Sequence, residues 1–352
     1  MTDPVRGKAA YVEELDGLRA IAVLTVLVFH TRIALDYGWL GVELFFVLSG
    51  YLITGILLRS RSTMEVRGGW WEGYAKPFYI RRTLRIFPLA YAALLVVFIV
   101  LPALGWRPTV PFGQQVWYWL YLNNWYIWSP YVPIPGMGHF WSLAVEEQFY
   151  LLWPWVVLLA PRKQLVRIAV LLATMPMLLR LLLVIVPIFP GKMRGPDTVR
   201  ITPLRMDGLM VGVLLALLAS EGLERWKPHA RGVALVVGAG FLALTFFPGS
   251  SLAFVLVTPA FTVTVAATLL LILTSRDSAV CGLLRTRWLT AIGKISYGIY
   301  VVHLPIMAVF QQRGWAPARI LAVTLPATLV VAAASWFFLE RPFLRLKERL
   351  AP

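Results

Sequence analysis

Two ionisable residues in the first apolar stretch of the chain have types and a spacing that suit chemistry inside a membrane. Arg19 and His30 are 11 residues apart, which at about 100° per residue brings both to the same side of a helix, with a rise of ~16 Å between them. Imidazole exchanges a proton near neutral pH and is the usual general base of enzymes. The pair predicts a base above an arginine, although a snorkelling arginine and a structural histidine fit the same spacing.

Three carboxylates fall in the same half of the chain's predicted spans as His30. Glu43 lies near the outer end of the second apolar stretch, and Glu146 and Glu147 lie at the start of the fourth. Adjacent helical positions point about 100° apart, so at most one of the pair faces a site squarely, and the helix dipole explains one carboxylate there. Asp207 and His303 add polarity to this half, where His303 taken alone favours a structural role.

Two further arginines open the third apolar stretch. Arg82 and Arg85 are three residues apart and share one face of a helix. Two guanidinium groups at that spacing suit a phosphate clamp, whereas most such pairs are plain cytoplasmic anchors. The chain thus predicts a cationic inner pole and an outer pole of histidine and carboxylates. A phosphate-rich donor that enters from the inner side would use both.

The composition indicates that lipid is the main solvent of the elements that carry these residues. The 352 residues are 59% hydrophobic and 14% charged, against about a quarter charged in soluble proteins. The net charge of +16 lies between apolar runs and not on a folded basic face, which argues against nucleic acid as a partner. The single cysteine, Cys281, excludes internal disulfides, and four scattered histidines predict no metal site.

Ten apolar stretches predict an all-α, polytopic transmembrane helix bundle. Of the 33 Lys and Arg residues, 23 fall in inner segments, 8 in outer segments and 2 in spans when the N-terminus is placed inside. This excess predicts that both termini are cytoplasmic. We expect residues 59–83 to form a basic inner loop and residues 105–143 an aromatic outer segment. The predicted spans are 16–34, 39–58, 84–104, 144–160, 165–187, 206–220, 231–247, 252–273, 290–311 and 319–339.

Several motifs, in their order along the chain, are similar to those of membrane acyltransferase family 3. The opening stretch contains an Arg-x10-His motif from Arg19 to His30, and a later one contains the Arg82-x-x-Arg85 pair. Glu43 stands where the family more often has aspartate. The resemblance extends from about residue 12 to 346, through residues 14–30, 41–50, 78–88, 140–150, 295–303 and 340–343.

The resemblance implies a single acyltransferase domain over residues 1–352 in the cell membrane, and we expect no appended soluble domain. It implies an O-acyltransferase that moves an acyl group, commonly acetyl, from acyl-CoA to a hydroxyl of a carbohydrate or glycosylated acceptor. Acyl-CoA is then a co-substrate, and no cofactor is expected to be bound permanently.

The implied mechanism assigns a role to each pole. His30 is the general base, and a carboxylate orients its ring as in a catalytic triad. Glu43 and Glu147 are the candidates for that carboxylate, with Glu146 beside them. Direct transfer and an acyl-imidazole intermediate on His30 both stay open. The expected acyl-CoA phosphate contacts are Arg19, Arg82 and Arg85, and the expected acceptor contacts are Trp141, Tyr300 and His303.

Two other functional classes fit the same span pattern. A transporter or flippase of a surface-glycan pathway also buries charges, but such proteins usually show an internal repeat or paired broken helices, and the sequence shows neither. An assembly subunit without chemistry of its own would tolerate the loss of His30. The ordered motifs favour the enzyme. The acceptor, the acyl length, the side of acceptor entry and the oligomeric state stay open.

Overall fold

A computed structural model of the chain describes residues 11–105, 110–128, 134–186 and 200–350, and every regular element in these ranges is helical. This confirms the predicted all-α class. The α-helices are α1 Glu13–Thr31, α2 Gly41–Thr63, α3 Lys76–Leu95, α4 Leu101–Ala103, α5 Phe112–Trp119, α6 Phe140–Leu159, α7 Arg162–Ile185, α8 Asp207–Ala219, α9 Lys227–Thr245, α10 Ser251–Thr274, α11 Ala279–Leu284, α12 Arg287–Lys294, α13 Ser296–Gln311, α14 Pro317–Ser335 and α15 Arg341–Leu350.

Six helical stretches within the described residues are long and apolar enough to cross a membrane, and a seventh is obtained if the bent pair α12 and α13 counts as one span. Two of the six are 34 residues long, because wider π-helical turns precede α3 at Trp70–Ala75, join α3 to α4, and join α14 to α15. The six are Gly38–Thr63, Trp70–Ala103, Arg162–Ile185, Glu224–Thr245, Ser251–Thr274 and Pro317–Leu350.

The other predicted spans are also helical, but they are shorter or carry charges. Helix α8 has 13 residues, α1 contains Arg19 and acidic residues in its first turn, and α6 contains Glu146 and Glu147. The span count of ten and the cytoplasmic termini therefore stay predictions. Five cations used for the predicted orientation lie outside the described residues: Arg6, Lys8, Arg107, Lys192 and Arg194.

The prediction of an inner loop over residues 59–83 is wrong. Helix α2 continues to Thr63, and helical structure resumes at Trp70, so that the connection is short. Arg and Lys are good helix formers whose long side chains carry the charge away from the helix axis. A run of basic residues therefore does not by itself end a helix.

Glycines let two helix pairs approach closely around the centre of the bundle. A Cβ on Gly50 of α2 would lie 1.9 Å from the carbonyl oxygen of Leu209 in α8. A Cβ on Gly293 of α12 would lie 1.9 Å from the carbonyl oxygen of Asp16 in α1. Small residues at such positions are typical of helix packing in membranes. They fix α1 and α2, which carry the predicted inner and outer poles, against their neighbours.

Candidate active site

A cavity of about 320 Å³ lies between α1, α2, α3, α6 and α13. Contacts along these helices show their relative directions and which of their residues lie at the same depth in the bundle. The chain from Gly293, near the end of α12, to His303 of α13 runs in the same direction as α1, because Asp16 packs near Gly293 and His30 meets His303. Helix α6 runs against them, since Ser142 meets Tyr300 of α13 while Tyr150 lies beside Arg82 of α3. The cavity therefore extends along the bundle axis.

One end of the cavity, the arginine end, is cationic. Arg19, Arg82 and Arg85 line it together, which is the grouping that the sequence predicts for α1 and α3. Arg19 is balanced by Asp16 at 2.7 Å, whereas Arg82 has a buried Nε atom with no hydrogen-bond partner among the described residues. Like charges gathered in a cavity repel one another at low dielectric. The arrangement therefore favours an anion between the three guanidinium groups.

The middle of the cavity is lined by hydroxyl groups and one carboxylate. Ser49 Oγ donates to Glu146 at 2.5 Å and lies 3.1 Å from the Tyr150 hydroxyl oxygen. Further along, the Ser142 and Tyr300 hydroxyl oxygens are 2.5 Å apart, and the Tyr300 hydroxyl donates to the backbone carbonyl of His139 at 3.0 Å. These polar groups line the middle of the cavity together with apolar side chains of α2 and α6.

Only one carboxylate of the adjacent pair on α6 faces this cavity. Glu146 lines the cavity wall, whereas Glu147 points elsewhere and has a buried Oε1 atom without a hydrogen-bond partner among the described residues. The angle of about 100° between neighbouring helical positions accounts for the difference.

Three histidines cluster beyond the end of the cavity that lies opposite the arginines. His303 Nε2 lies 3.3 Å from Nδ1 of His30, and the rings of His139 and His303 are 4.9 Å apart at their centroids. His139 and His303 are buried, and His30 is half-buried. Tyr300, which lines the cavity, has its ring 5.6 Å from that of His303. One histidine therefore separates the cavity wall at Tyr300 from His30.

Glu43 belongs to a separate buried ion network. It accepts from Arg205 at 2.9 Å, and Arg180 donates to Asp207 at 2.6 Å. All four side chains are buried, and the two positive and two negative charges balance, as burial in a membrane requires.

Trp141 packs against this network and not along the cavity. The Arg205 guanidinium lies 5.1 Å from the ring centroids of both Trp39 and Trp141, a cation–π arrangement. Of the three expected acceptor contacts, Tyr300 therefore lies on the cavity, His303 lies against His30, and Trp141 lies on Arg205.

Three residues that line the cavity, Ser49, Ser142 and Tyr150, were not identified as site residues from the sequence, whereas Glu146 was. Ser142, Glu146 and Tyr150 line the cavity at intervals of four residues along α6, and this helical spacing is a readable signal. His139 precedes Ser142 by three residues, and its ring packs against His303 and does not line the cavity. Ser49 offers no such signal, because a lone hydroxyl in an apolar helix is common. Within the described ranges, no group of three or more His, Cys, Asp or Glu side chains is arranged to hold a metal ion.

Comparisons with known proteins identify the family. A protein-family model described as an acyltransferase domain matches residues 12–340 of this chain. The chain is 31% identical over 357 residues to a putative peptidoglycan O-acetyltransferase of Bacillus subtilis, covering 94% of this chain and 55% of that protein. It is 29% identical over 381 residues to a peptidoglycan O-acetyltransferase of Listeria monocytogenes, covering 97% and 57%. It is 30% identical over 366 residues to an O-acetyltransferase of Staphylococcus aureus, covering 94% and 57%.

The chain spans little more than half the length of these curated relatives. No solved structure matches it. The family model covers nearly the whole chain, and the matched range includes Arg19, His30, Arg82 and Arg85. The chain therefore belongs to membrane acyltransferase family 3.

Proposed function

We propose that the chain is a membrane O-acetyltransferase that moves an acetyl group from acetyl-CoA to a hydroxyl of a carbohydrate acceptor in the cell envelope. The names of two relatives specify peptidoglycan as the acceptor, and a peptidoglycan glycan is our proposed acceptor here. The observation that carries the proposal is the cavity that begins at Arg19, Arg82 and Arg85 and ends one histidine away from His30.

The charge of the inner end supports coenzyme A as the carrier of the acyl group. Coenzyme A brings a diphosphate and a 3′-phosphate, and guanidinium groups bind phosphates through two parallel hydrogen bonds. The buried Nε of Arg82, which has no hydrogen-bond partner in the described part of the chain, is a donor that such a ligand would satisfy. A cavity of about 320 Å³ lies at the lower end of the usual size range for small-molecule sites, which suits part of the carrier and not all of it.

The length of the path supports the same assignment. The rise of ~16 Å between Arg19 and His30 along one unbroken helix suits an extended pantetheine arm. Its two amides would lie beside Ser49, Glu146 and Tyr150, which line the middle of the cavity. The thioester would then lie beside Tyr300 and near the histidine cluster.

The proposed reaction needs one base and no redox partner. His30 removes the proton of the acceptor hydroxyl as the oxygen bonds to the acetyl carbonyl carbon. The carbon–sulfur bond breaks, the thiolate of coenzyme A leaves, and the proton from the imidazolium converts it to the thiol. The products are an acetyl ester and free coenzyme A. An acetyl group found on the protein without acceptor would indicate an acyl-imidazole on His30 in place of direct transfer.

The membrane arrangement that fits this path has ten spans and both termini in the cytoplasm, in the plasma membrane. Its support is the excess of Lys and Arg in the inner segments and a helix at each of the ten predicted positions. Acetyl-CoA is cytoplasmic, so its phosphates would reach the arginine end directly. The acceptor hydroxyl would approach His30 from the outer side.

The experiment that tests the proposal measures binding of acetyl-CoA to the purified protein in detergent. Acetyl-CoA is compared with S-acetylpantetheine, which has the same thioester and no nucleotide phosphates. The variants are Arg82→Ala/Arg85→Ala and a matched control, Arg167→Ala, which removes an exposed arginine of α7. We expect salt-sensitive binding of acetyl-CoA that only the double variant loses.

Absence of acetyl-CoA binding to the wild type would overturn the proposal. A transporter would then be the better assignment, and the break of 68° between α12 and α13 is the feature that resembles the discontinuous helices of transporters. Equal loss in the Arg167→Ala control would show that the binding is non-specific attraction to a basic surface.

A further inference from the structure

The contact between His303 and His30 has no role in the transfer described above. His303 lies on α13, is 1% exposed, and places Nε2 at 3.3 Å from Nδ1 of His30 on α1. We propose that His303 is a positioning residue that accepts a hydrogen bond from Nδ1 of His30 and so presents Nε2 of His30 as the basic nitrogen. This inference rests on the proposed function, in which His30 is the base.

Two backbone carbonyls determine which nitrogens carry hydrogen, because a carbonyl oxygen can only accept. The carbonyl oxygen of Tyr300 lies 2.6 Å from His303 Nδ1, so this nitrogen carries a hydrogen and Nε2 of the neutral ring has a lone pair. The carbonyl oxygen of Val26 lies 2.9 Å from His30 Nδ1, so this nitrogen also carries a hydrogen. The single hydrogen on His30 Nδ1 is therefore shared between the Val26 carbonyl oxygen and His303 Nε2, and the contact between the rings runs from His30 to His303.

The direction of this bond selects the reactive nitrogen of His30. With its hydrogen on Nδ1, the neutral ring of His30 has its lone pair on Nε2, and this is the atom that can take a proton from the acceptor hydroxyl. The shorter bond to Val26 is made within α1 and fixes the tautomer. The longer bond is made to His303 on another helix, and it restricts rotation of the His30 ring about its side-chain torsions.

The same bond stabilises the charge that develops during transfer. When His30 takes the proton, both of its nitrogens carry hydrogen and the ring becomes positive. Hydrogen bonds from a charged donor are stronger than those from a neutral one, so the His303 lone pair stabilises the charged form more than the neutral form. An interaction that strengthens in the transition state raises kcat.

His139 is a matched control in the same cluster. It is 2% exposed, its ring centroid is 4.9 Å from that of His303, and its Nε2 donates to the carbonyl oxygen of Val301 at 3.0 Å. His139→Gln keeps a donor for Val301 and changes the packing of the cluster by a similar amount. It leaves the bond between His303 and His30 in place.

The test compares His303→Asn with His303→Gln. A glutamine oxygen reaches the position of Nε2 and can accept from His30, whereas asparagine is too short and keeps only the polar group near Nδ1. Wild type, both variants and His139→Gln are reconstituted in liposomes with acetyl-CoA and soluble muropeptides, and release of the coenzyme A thiol gives kcat and KM.

We expect His303→Asn to lower kcat about 10- to 100-fold, the range for a hydrogen bond to a charged group. The KM for acetyl-CoA should not change, because the arginines lie at the other end of the path. His303→Gln and His139→Gln should keep most of the wild-type kcat. If His303→Asn does not insert, His303→Met takes its place, since it fills the volume without a strong acceptor.

Equal kcat values for the Asn and Gln variants would overturn the positioning role, whether both are low or both are normal. Equal loss in His139→Gln would show that only packing of the cluster matters. The proposed function fails in a different way: His30→Ala would then retain transfer. An inactive His30→Ala together with a fully active His303→Asn would reject this inference alone.

Discussion

Gly50 sets the distance between α2 and α8, and this distance holds one wall of the cavity in place. A Cβ added at Gly50 would lie 1.9 Å from the carbonyl oxygen and 2.8 Å from the carbonyl carbon of Leu209. Ordinary contact begins at 3.4 Å, so Gly50→Ala would force the helices apart by roughly 1.5 Å. Both colliding atoms belong to the backbone of a packed helix, which cannot turn aside as a side chain does.

The expected effect is a net loss of stability. Alanine in place of glycine inside a helix gains about 1 kcal/mol from intrinsic propensity, while overpacking costs about 1–3 kcal/mol and sometimes more. A clash between backbones belongs at the upper end, so we expect a net loss of about 2 kcal/mol. The neighbouring residue Ser49 bonds to Glu146 in the cavity, so binding of acetyl-CoA should weaken as well.

Thermal unfolding in detergent, followed by tryptophan fluorescence, measures the effect. The control is Gly55→Ala on the same helix, where the nearest atom to the added Cβ is the flexible guanidinium end of Arg59 at 3.4 Å. We expect Gly55→Ala to unfold at the wild-type temperature or slightly above it, and Gly50→Ala to unfold several degrees lower. Equal midpoints for the two variants would refute the argument that contact of backbones sets this spacing.

Three further predictions follow from the charged groups. Arg85→Ala should raise the KM for acetyl-CoA about tenfold or more with a smaller change in kcat, because losing a charged hydrogen bond costs about 1.5–3 kcal/mol of binding free energy. Initial-rate kinetics measures both constants, and an unchanged KM would count against the phosphate clamp. Arg205→Met should lower the yield of monodisperse protein, since breaking a buried ion pair costs about 3–5 kcal/mol, and adding Glu43→Gln should restore part of that yield. Hydrogen bonds from Arg162 lower the pKa of the exposed Glu221. The small stabilisation by the ionised Glu221 is therefore present at neutral pH and is lost as the pH falls through that lowered pKa. The melting temperatures of wild type and Glu221→Gln should converge in acid, and a constant difference would contradict this.

Properties that depend on local chain geometry were predictable. The helical class and the positions of the helices follow from long apolar runs, because the backbone must satisfy its own hydrogen bonds in lipid. The shared face of Arg19 and His30 follows from helix geometry, and both lie on one unbroken helix. The inner loop over residues 59–83 was the exception, because α2 extends through its basic end to Thr63 and helical structure resumes at Trp70.

Properties that depend on how helices are rotated against each other were not predictable. From the sequence, Glu43 and Glu147 were the candidates to orient His30, with Glu146 beside them. In the structure Glu43 bonds to Arg205, Glu146 faces the cavity, and Glu147 points elsewhere. Each of these outcomes depends on the rotation of α2 or α6 about its own axis.

The sequence by itself determined the helices, the two poles and the family resemblance, because each is encoded within a helix turn or a short motif. Only the tertiary structure decided that Glu146, and neither Glu43 nor Glu147, lines the cavity and that His303 meets His30. The latter two residues are 273 positions apart in the chain. Contacts of that kind depend on how whole helices pack, which is set by glycines and by side-chain volumes. Many residues each contribute a little to this packing, and no short motif is enough to determine it.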